Sequence, residues 1–181
     1  YVVTEHVPGT PLSEIFRKMQ AAGRPLPAAI ALPIALAICD ALKAAIDATC
    51  DTESPLVHKD LRPSAVVVGN SGAIKLAHFG QDPVSKAART STGTVLGRFG
   101  YQAPETIVDG LVTPASNVFS VAVLLYEMIS GNHPFPGTAP MEIIRAVTRG
   151  AVETLVGIDP CLAGLEGVLR RALSKSPGDR Y

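Results

Sequence analysis

The 181-residue sequence contains no tryptophan, only 5% aromatic and 18% charged residues, and just three cysteines. Each shortage excludes something. Sparse charge combined with a mean hydropathy of +0.27 is the opposite of the balance that keeps a chain disordered. Sixteen basic residues offset sixteen acidic ones, so no net field favours DNA, RNA or an anionic membrane as the main partner. Cys39, Cys50 and Cys161 show no paired spacing and no C-x-x-C, which argues against both a disulfide framework and a zinc site. They are expected to be buried thiols in a reducing compartment. The opening Tyr1-Val2-Val3 is followed by no charged n-region, apolar h-region and cleavage site, so no signal peptide is expected. The most apolar stretch, Leu26 to Cys39, falls short of the roughly 20 residues that cross a bilayer. Asp40, Lys43 and Asp47 follow it at helical spacing, which predicts a buried helix with one wet face.

The length fits one domain, since domains run to about 100–200 residues. Tyr1–Val7 is β-branched and ends at Pro8-Gly9, predicting a strand that enters a turn. Ser13 is placed to cap a short helix that stops near Gly23. From Pro27 to about Thr49, the residues Ile30, Ile34, Ile38, Leu42 and Ile46 make an i, i+4 row. That row is one face of a long helix, widened by alanines; Pro33 falls in its first turns, where a missing N–H costs least. Val66-Val67-Val68 and Ala73-Ile74-Lys75-Leu76 flank Gly69-Asn70-Ser71-Gly72 and predict a hairpin. The glycine pair there opens no helix, so a plain turn is preferred to a phosphate-binding loop. Residues 81–94 are polar and aperiodic, a long surface loop of the kind that serves as a lid or remains disordered. Ser116 or Asn117 then caps Val118–Ser130, a helix apolar all round and therefore central. Gly131 ends it, and Met141–Arg149 and Leu165–Ser174 supply two more helices.

Four short stretches now line up. His58-Lys59-Asp60-Leu61-Arg62-Pro63 resembles the H-R-D-L-K-P loop of eukaryotic-type protein kinases, in a form similar to bacterial serine/threonine kinases. Lys75-Leu76-Ala77-His78-Phe79-Gly80 resembles K-L-x-D-F-G, and Gly100-Tyr101-Gln102-Ala103-Pro104-Glu105 resembles G-Y-x-A-P-E. Arg180 resembles the arginine that pairs with that glutamate. One triplet is weak; four in order, separated by a hairpin and a loop, are strong. The resemblance covers all 181 positions and implies a mainly α fold. It would be the large C-terminal lobe of a kinase-like domain, a helical bundle with a small β-hairpin at the cleft. Residues 1–8 would be the last small-lobe strand and the hinge, with Thr4 at a gatekeeper-like position. The glycine-rich loop, the V-A-I-K lysine and the lobe's final helix have no counterpart, so the chain is expected to be part of a longer protein.

The same resemblance assigns sites. Glu5 and Val7 would offer backbone groups to an adenine, and Val67 would line the nucleotide site. Asp60 stands at the base position, Arg62 at the phosphate-contacting lysine. His58, Glu105, Asn117 and Arg180 would be structural, Asn117 standing where an aspartate usually receives hydrogen bonds from the catalytic-loop backbone. Lys59 replaces an arginine that can bind a phosphorylated loop; lysine does so only as a point charge. Thr90, Ser91, Thr92 and Thr94 are the candidate phosphosites of that loop.

Two positions depart from the pattern in a way that bears on chemistry. Kinases hold Mg²⁺ with the D-F-G aspartate and a catalytic-loop asparagine. His78 and Ala65 stand at those positions. Mg²⁺ wants oxygen ligands, whereas imidazole suits softer metals and a methyl group ligates nothing. ATP is therefore a possible ligand, and Mg²⁺ is not expected to bind in the usual way. Arg98 sits where a threonine usually contacts the base, and an Arg98–Asp60 ion pair is expected to block the place of the substrate hydroxyl. His6, His58, His78 and His133 are expected to be non-ligand histidines, and no protein metal site is assigned. The resemblance implies a cytoplasmic regulatory or scaffolding pseudokinase with protein partners, no nucleic-acid partner and no membrane span. An active serine/threonine kinase with Asp60 as base, or a helical interaction domain that never binds nucleotide, are the alternatives.

Overall fold

The computed structural model describes residues 5–49, 55–79, 98–155 and 162–181. Its centre is the helix expected to be apolar all round, Pro114–Ser130 (α4). Residues 119–130 are all buried, Phe119, Val123, Leu124 and Met128 with no exposure at all. Its start differs from expectation: Thr113 is the cap, exchanging bonds with Ser116, whose N–H donates to Thr113 Oγ1 (3.3 Å) while Thr113 N–H donates to Ser116 Oγ (3.0 Å). Pro114 can then occupy the first helical position, where no N–H is needed. Asn117 is thereby one turn inside the helix and available for another task. Gly131 closes the helix in the left-handed region, φ 74°, where a side chain would be strained.

The long helix predicted from the isoleucine row spans Ala28–Asp47 (α2) and packs along α4. Ala31, Ile34, Ala35, Ile38 and Leu42 are buried, but Ile30 at the N-terminal end is 50% exposed and Ile46 half-buried. A straight 3.6-residue helix drifts around its axis relative to an i, i+4 row, so only the middle of the row faces α4. Cys39 also corrects the expectation of burial: it is exposed, beside Asp40, and Cys50 and Cys161 lie outside the described residues. By length and composition alone α2 could cross a membrane; 28% of its most apolar window is buried here.

Of the strand expected over Tyr1–Val7, residues 1–4 fall outside the described residues and residues 5–8 are irregular; Gly9–Pro11 (β1) is the paired segment. β1 runs antiparallel to Val66–Gly69 (β2), with Gly9 opposite Gly69. The approach demands glycine, since a Cβ on Gly9 would lie 2.3 Å from the Val68 carbonyl oxygen. β2 pairs with Ile74–Leu76 (β3), Val66 opposite Leu76, so the predicted hairpin is present as part of a three-stranded sheet. The first helix, Leu12–Ala22 (α1), starts after Pro11 with no side-chain cap; the extended N-cap position is taken by Pro11 itself, so the expected cap Ser13 is within the helix. Gly23 ends it as expected.

Pro104–Asp109 (α3), Pro140–Arg149 (α5) and Ala163–Ala172 (α6) are further helices. α6 packs on α4, and α5 on α3. The predicted loop of residues 81–94 falls outside the described residues, and the phosphosite candidates Thr90, Ser91, Thr92 and Thr94 with it.

Candidate active site

The site sits where the His58–Pro63 segment, the base of the β2–β3 hairpin and the segment starting at Arg98 meet. His58 is the floor. It is 1% exposed, its Nε2 donates to the Ala77 carbonyl (2.9 Å), and its Nδ1 accepts from the Asp60 N–H (3.2 Å). Burial lowers its pKa against the bond to Ala77, so the ring is neutral, with both nitrogens in use. Phe79 packs edge-on against it, centroids 4.8 Å apart.

Asn117 holds the same segment from α4. Its Oδ1 accepts from the His58 N–H (3.0 Å) and its Nδ2 donates to the His58 carbonyl (2.7 Å). From the sequence only acceptance is expected of Asn117. An amide carries donor and acceptor together, so Asn117 satisfies both backbone groups of His58, which a carboxylate cannot do. The side chain is 4% exposed, so neither bond competes with water.

Asp60 is held on both sides. Arg98 Nε donates to Oδ1 (2.8 Å) and Arg62 Nε to Oδ2 (3.0 Å). The side chains are 17%, 22% and 33% exposed for Asp60, Arg98 and Arg62, so the cluster is screened less than a surface pair. The Arg98–Asp60 pair expected from sequence is therefore present. The Arg62 bond was not foreseen: proximity of i and i+2 in an irregular loop leaves no periodic signal. Lys59, next to Asp60, is exposed.

The two positions that depart from the resemblance come together on the hairpin side. Ala65 ends a short 3-10 turn, Pro63–Ala65, and is 1% exposed. Its carbonyl accepts from Ala77 N–H (2.8 Å), which puts His78 one residue from that link. His78 is exposed and left-handed, φ 68°, uncommon for a residue with a Cβ. Such strain is often concentrated at functional positions. Beside the hairpin the Glu5 carboxylate pairs with Lys75 Nζ on β3 (3.1 Å), while Val7 and Val67 are half-buried and His6 exposed. Thr4 lies outside the described residues.

The segment after Arg98 is anchored in two places. Tyr101 Oη donates to Glu127 Oε2 of α4 (2.5 Å). Burial raises both groups, Glu127 to about 7, the Tyr101 bond only partly opposing the shift of the carboxyl. His133 packs edge-on to Tyr101, centroids 5.0 Å apart; its Nδ1 accepts from Phe135 N–H (3.0 Å) and burial lowers it to about 4. Farther along, Glu105 and Arg180 form the expected pair, bidentate at 2.8 and 2.9 Å, with Ser116 Oγ also donating to Glu105 (2.7 Å). Burial would raise the Glu105 carboxyl; the bonds from Arg180 and Ser116 together outweigh it and hold the pKa below the ordinary range.

Among known proteins, the family model for protein tyrosine and serine/threonine kinases matches residues 1–181. The chain is 36% identical over 131 residues to serine/threonine-protein kinase PknL of Mycobacterium tuberculosis, covering 70% of this chain and 32% of that protein. It is 28% identical over 183 residues to serine/threonine-protein kinase PrkC of Bacillus subtilis, the whole chain against 27% of that protein. A probable serine/threonine-protein kinase of Corynebacterium efficiens, CE0033, is likewise 28% identical over 189 residues and is covered over 27% of its length. The chain thus spans about a third or less of these relatives. With a helical lobe on a small antiparallel sheet, the His58–Pro63 segment at their junction and the family match running end to end, the chain belongs to the protein tyrosine and serine/threonine kinase family.

Proposed function

We propose that this chain is the large lobe of a pseudokinase, a regulatory or scaffolding module whose cleft binds nucleotide weakly or without metal and does not transfer phosphate. One observation carries the reading: both carboxylate oxygens of Asp60 are already bonded to guanidinium groups. A general base must reach the proton it removes at about 2.6–3.2 Å, and here an acceptor hydroxyl would have to displace Arg98 or Arg62. The neighbouring residues support the same reading. Ala65 offers no ligand atom, and His78 offers imidazole where Mg²⁺ would want oxygen. Each missing stabilising group typically costs on the order of 10²–10³ in rate. On this reading Asp60 and Arg62 occupy family positions without being competent, and Glu5, Val7 and Val67 line the adenine side. Thr90, Ser91, Thr92 and Thr94 remain candidate phosphosites, and the domain works in the cytoplasm through protein partners.

The competing reading is an active serine/threonine kinase, with Asp60 as base and the small lobe elsewhere in the parent protein; the names of the relatives favour it. Phosphoryl transfer from labelled ATP to the full-length protein and to a generic acceptor, with Mg²⁺ and with Mn²⁺, decides between them. No transfer above an Asp60→Asn control supports the pseudokinase. Metal-dependent transfer abolished by Asp60→Asn overturns it. The triple change Ala65→Asn, His78→Asp and Arg98→Thr should restore Mg²⁺-dependent nucleotide binding if the rest of the cleft is intact.

A further inference from the structure

A cavity of about 310 Å³ is bounded by residues 150–155 after α5, the C-terminal half of α6 and Tyr126 of α4, and it shares no residue with the Asp60 site. Ligand pockets start at about this size. Leu155, Leu169 and Leu173 make its apolar walls, each at most 5% exposed. Tyr126 lines it too, 4% exposed, and its hydroxyl has no hydrogen-bond partner among the described residues. A buried phenol normally finds one. Burial, and after it the charges of Glu153 and Glu166, raise the pKa of that hydroxyl, so it stays protonated and able both to donate and to accept. Four charged side chains line the same cavity: Glu153, Glu166, Arg170 and Lys175. Opposite charges attract strongly at a partly dry site, yet among the described residues none of the four forms an ion pair. Glu166 spends one oxygen on the Leu155 N–H (2.8 Å). Lys175 Nζ spends one of its three donors on the Val147 carbonyl (2.7 Å) and lies 4.3 Å over the Phe135 ring. Burial, and after it the nearby Arg180, lower its pKa only to about 8, so it remains mainly cationic at neutral pH.

We infer that this cavity binds a small zwitterion with an apolar body, an amino acid or a dipeptide. The acids that act on Tyr126 and the bases Lys175 and Arg170 face one space without closing on each other, which is the complement of a molecule carrying both charges. The ligand's ammonium goes to Glu153, Glu166 and the Tyr126 oxygen, its carboxylate to Lys175 and Arg170, and its apolar side chain against the three leucines. A simple amine would leave the bases unanswered, and a simple carboxylate the acids. The inference is independent of whether Asp60 takes part in phosphoryl transfer.

The test is titration of the full-length protein with leucine, phenylalanine and the dipeptide leucyl-phenylalanine, by thermal shift and calorimetry. A melting temperature that rises with ligand concentration is expected for at least one of them. Phenethylamine and 3-phenylpropionate each lack one charge and should bind about 10-fold or more weakly. Tyr126→Phe should weaken binding about 2- to 10-fold and leave the ligand-free melting temperature unchanged or higher, since the hydroxyl has no partner to lose. Glu153→Gln and Arg170→Gln, both at exposed positions, should each weaken binding without unfolding the protein. Tighter binding of phenylalanine than of the dipeptide supports a free amino acid as the ligand, and the reverse order supports a peptide. No shift with any of the three probes, single-charge analogues that bind as well as phenylalanine, or binding indifferent to the Tyr126→Phe, Glu153→Gln double variant would each overturn the site. A ligand-free melting temperature lowered by Tyr126→Phe would do so too, because it would give the hydroxyl a structural partner.

Discussion

Arg180 and Arg98 both pair with a carboxylate, yet the two arginines are in opposite situations. Arg180 has no exposed side chain and spends all five of its donors. Two go to Glu105, and the others to the carbonyls of Ser174 (2.8 Å), Ala115 (3.0 Å) and Lys175 (3.1 Å). Its guanidinium also lies 5.0 Å over the Phe119 ring, which stacks on Phe135 at 5.7 Å, with Lys175 Nζ 4.3 Å over the latter. A fully engaged cation of this kind joins the chain end to α3 and α4 and has nothing left to offer a ligand. At Asp60 each described bond comes from a single Nε, and the side chains are partly wet, 17–33% exposed. The lesson is that an ion pair alone does not define a role; burial does, since a dry pair is a structural joint and a partly wet one is not.

The sharpest way to break the comparison is to remove one partner from each pair. Arg180→Ala leaves Glu105 buried with an uncompensated charge, and a loss of about 3–5 kcal/mol is expected in denaturant unfolding. Arg98→Ala should cost under about 1 kcal/mol by the same measurement, because Arg62 and water still serve Asp60. Comparable losses from the two variants would erase the distinction.

A middle-sized effect is expected at Asn117. Asn117→Leu leaves both His58 backbone groups unsatisfied in a buried place, a loss of about 1–3 kcal/mol for such a group. Asn117→Asp can accept but not donate, so it should recover only part of that loss. Equal stability of Asn117→Asp and the parent would show that the bond to the His58 carbonyl contributes nothing.

The smallest effect is a pH dependence around Tyr101, between the two arginine sites. Glu127 has its pKa raised from 4.5 to about 7, so between those values the folded state holds a proton that the unfolded chain releases. Stability from this group therefore falls as pH rises through that window. His133 is lowered from 6.5 to about 4, so there the unfolded chain binds the extra proton and stability rises with pH across 4 to 6.5. The two slopes oppose each other where the windows overlap. Glu127→Gln removes the falling slope and keeps an acceptor for Tyr101, so its melting temperature should climb between pH 4.5 and 6.5 more steeply than the parent's. An unchanged pH profile would sink that account.

Much of this was legible in the residues. Apolar runs at 3.6 spacing locate α2 and α4, because a helix that buries one stripe or its whole circumference must write that pattern into the chain. The Val66–Leu76 hairpin is equally plain, since turn chemistry and strand alternation are local. The Glu105–Arg180 pair and the Arg98–Asp60 contact were accessible through resemblance, which carries long-range information that periodicity lacks. Boundaries were less legible: Thr113 rather than Ser116 or Asn117 caps α4, and Gly9–Pro11 rather than Tyr1–Val7 makes the first strand in the described residues. Both turn on partners distant in sequence, a capping exchange fitted to a packed helix and a strand that exists only because β2 lies beside it.

The sequence by itself determined the helical lobe, the small sheet, the order of the four motif segments and the residue types at Ala65, His78 and Arg98. Tertiary structure alone decided how those types are used. It turned Asn117 inward to satisfy both backbone groups of His58, put Arg62 on the second oxygen of Asp60, and left Cys39 and Ile30 on the outside of α2. The physical reason is that hydrogen-bond saturation and local charge balance are properties of neighbours in space. A sequence names the donors and acceptors; only the fold says how many of them meet.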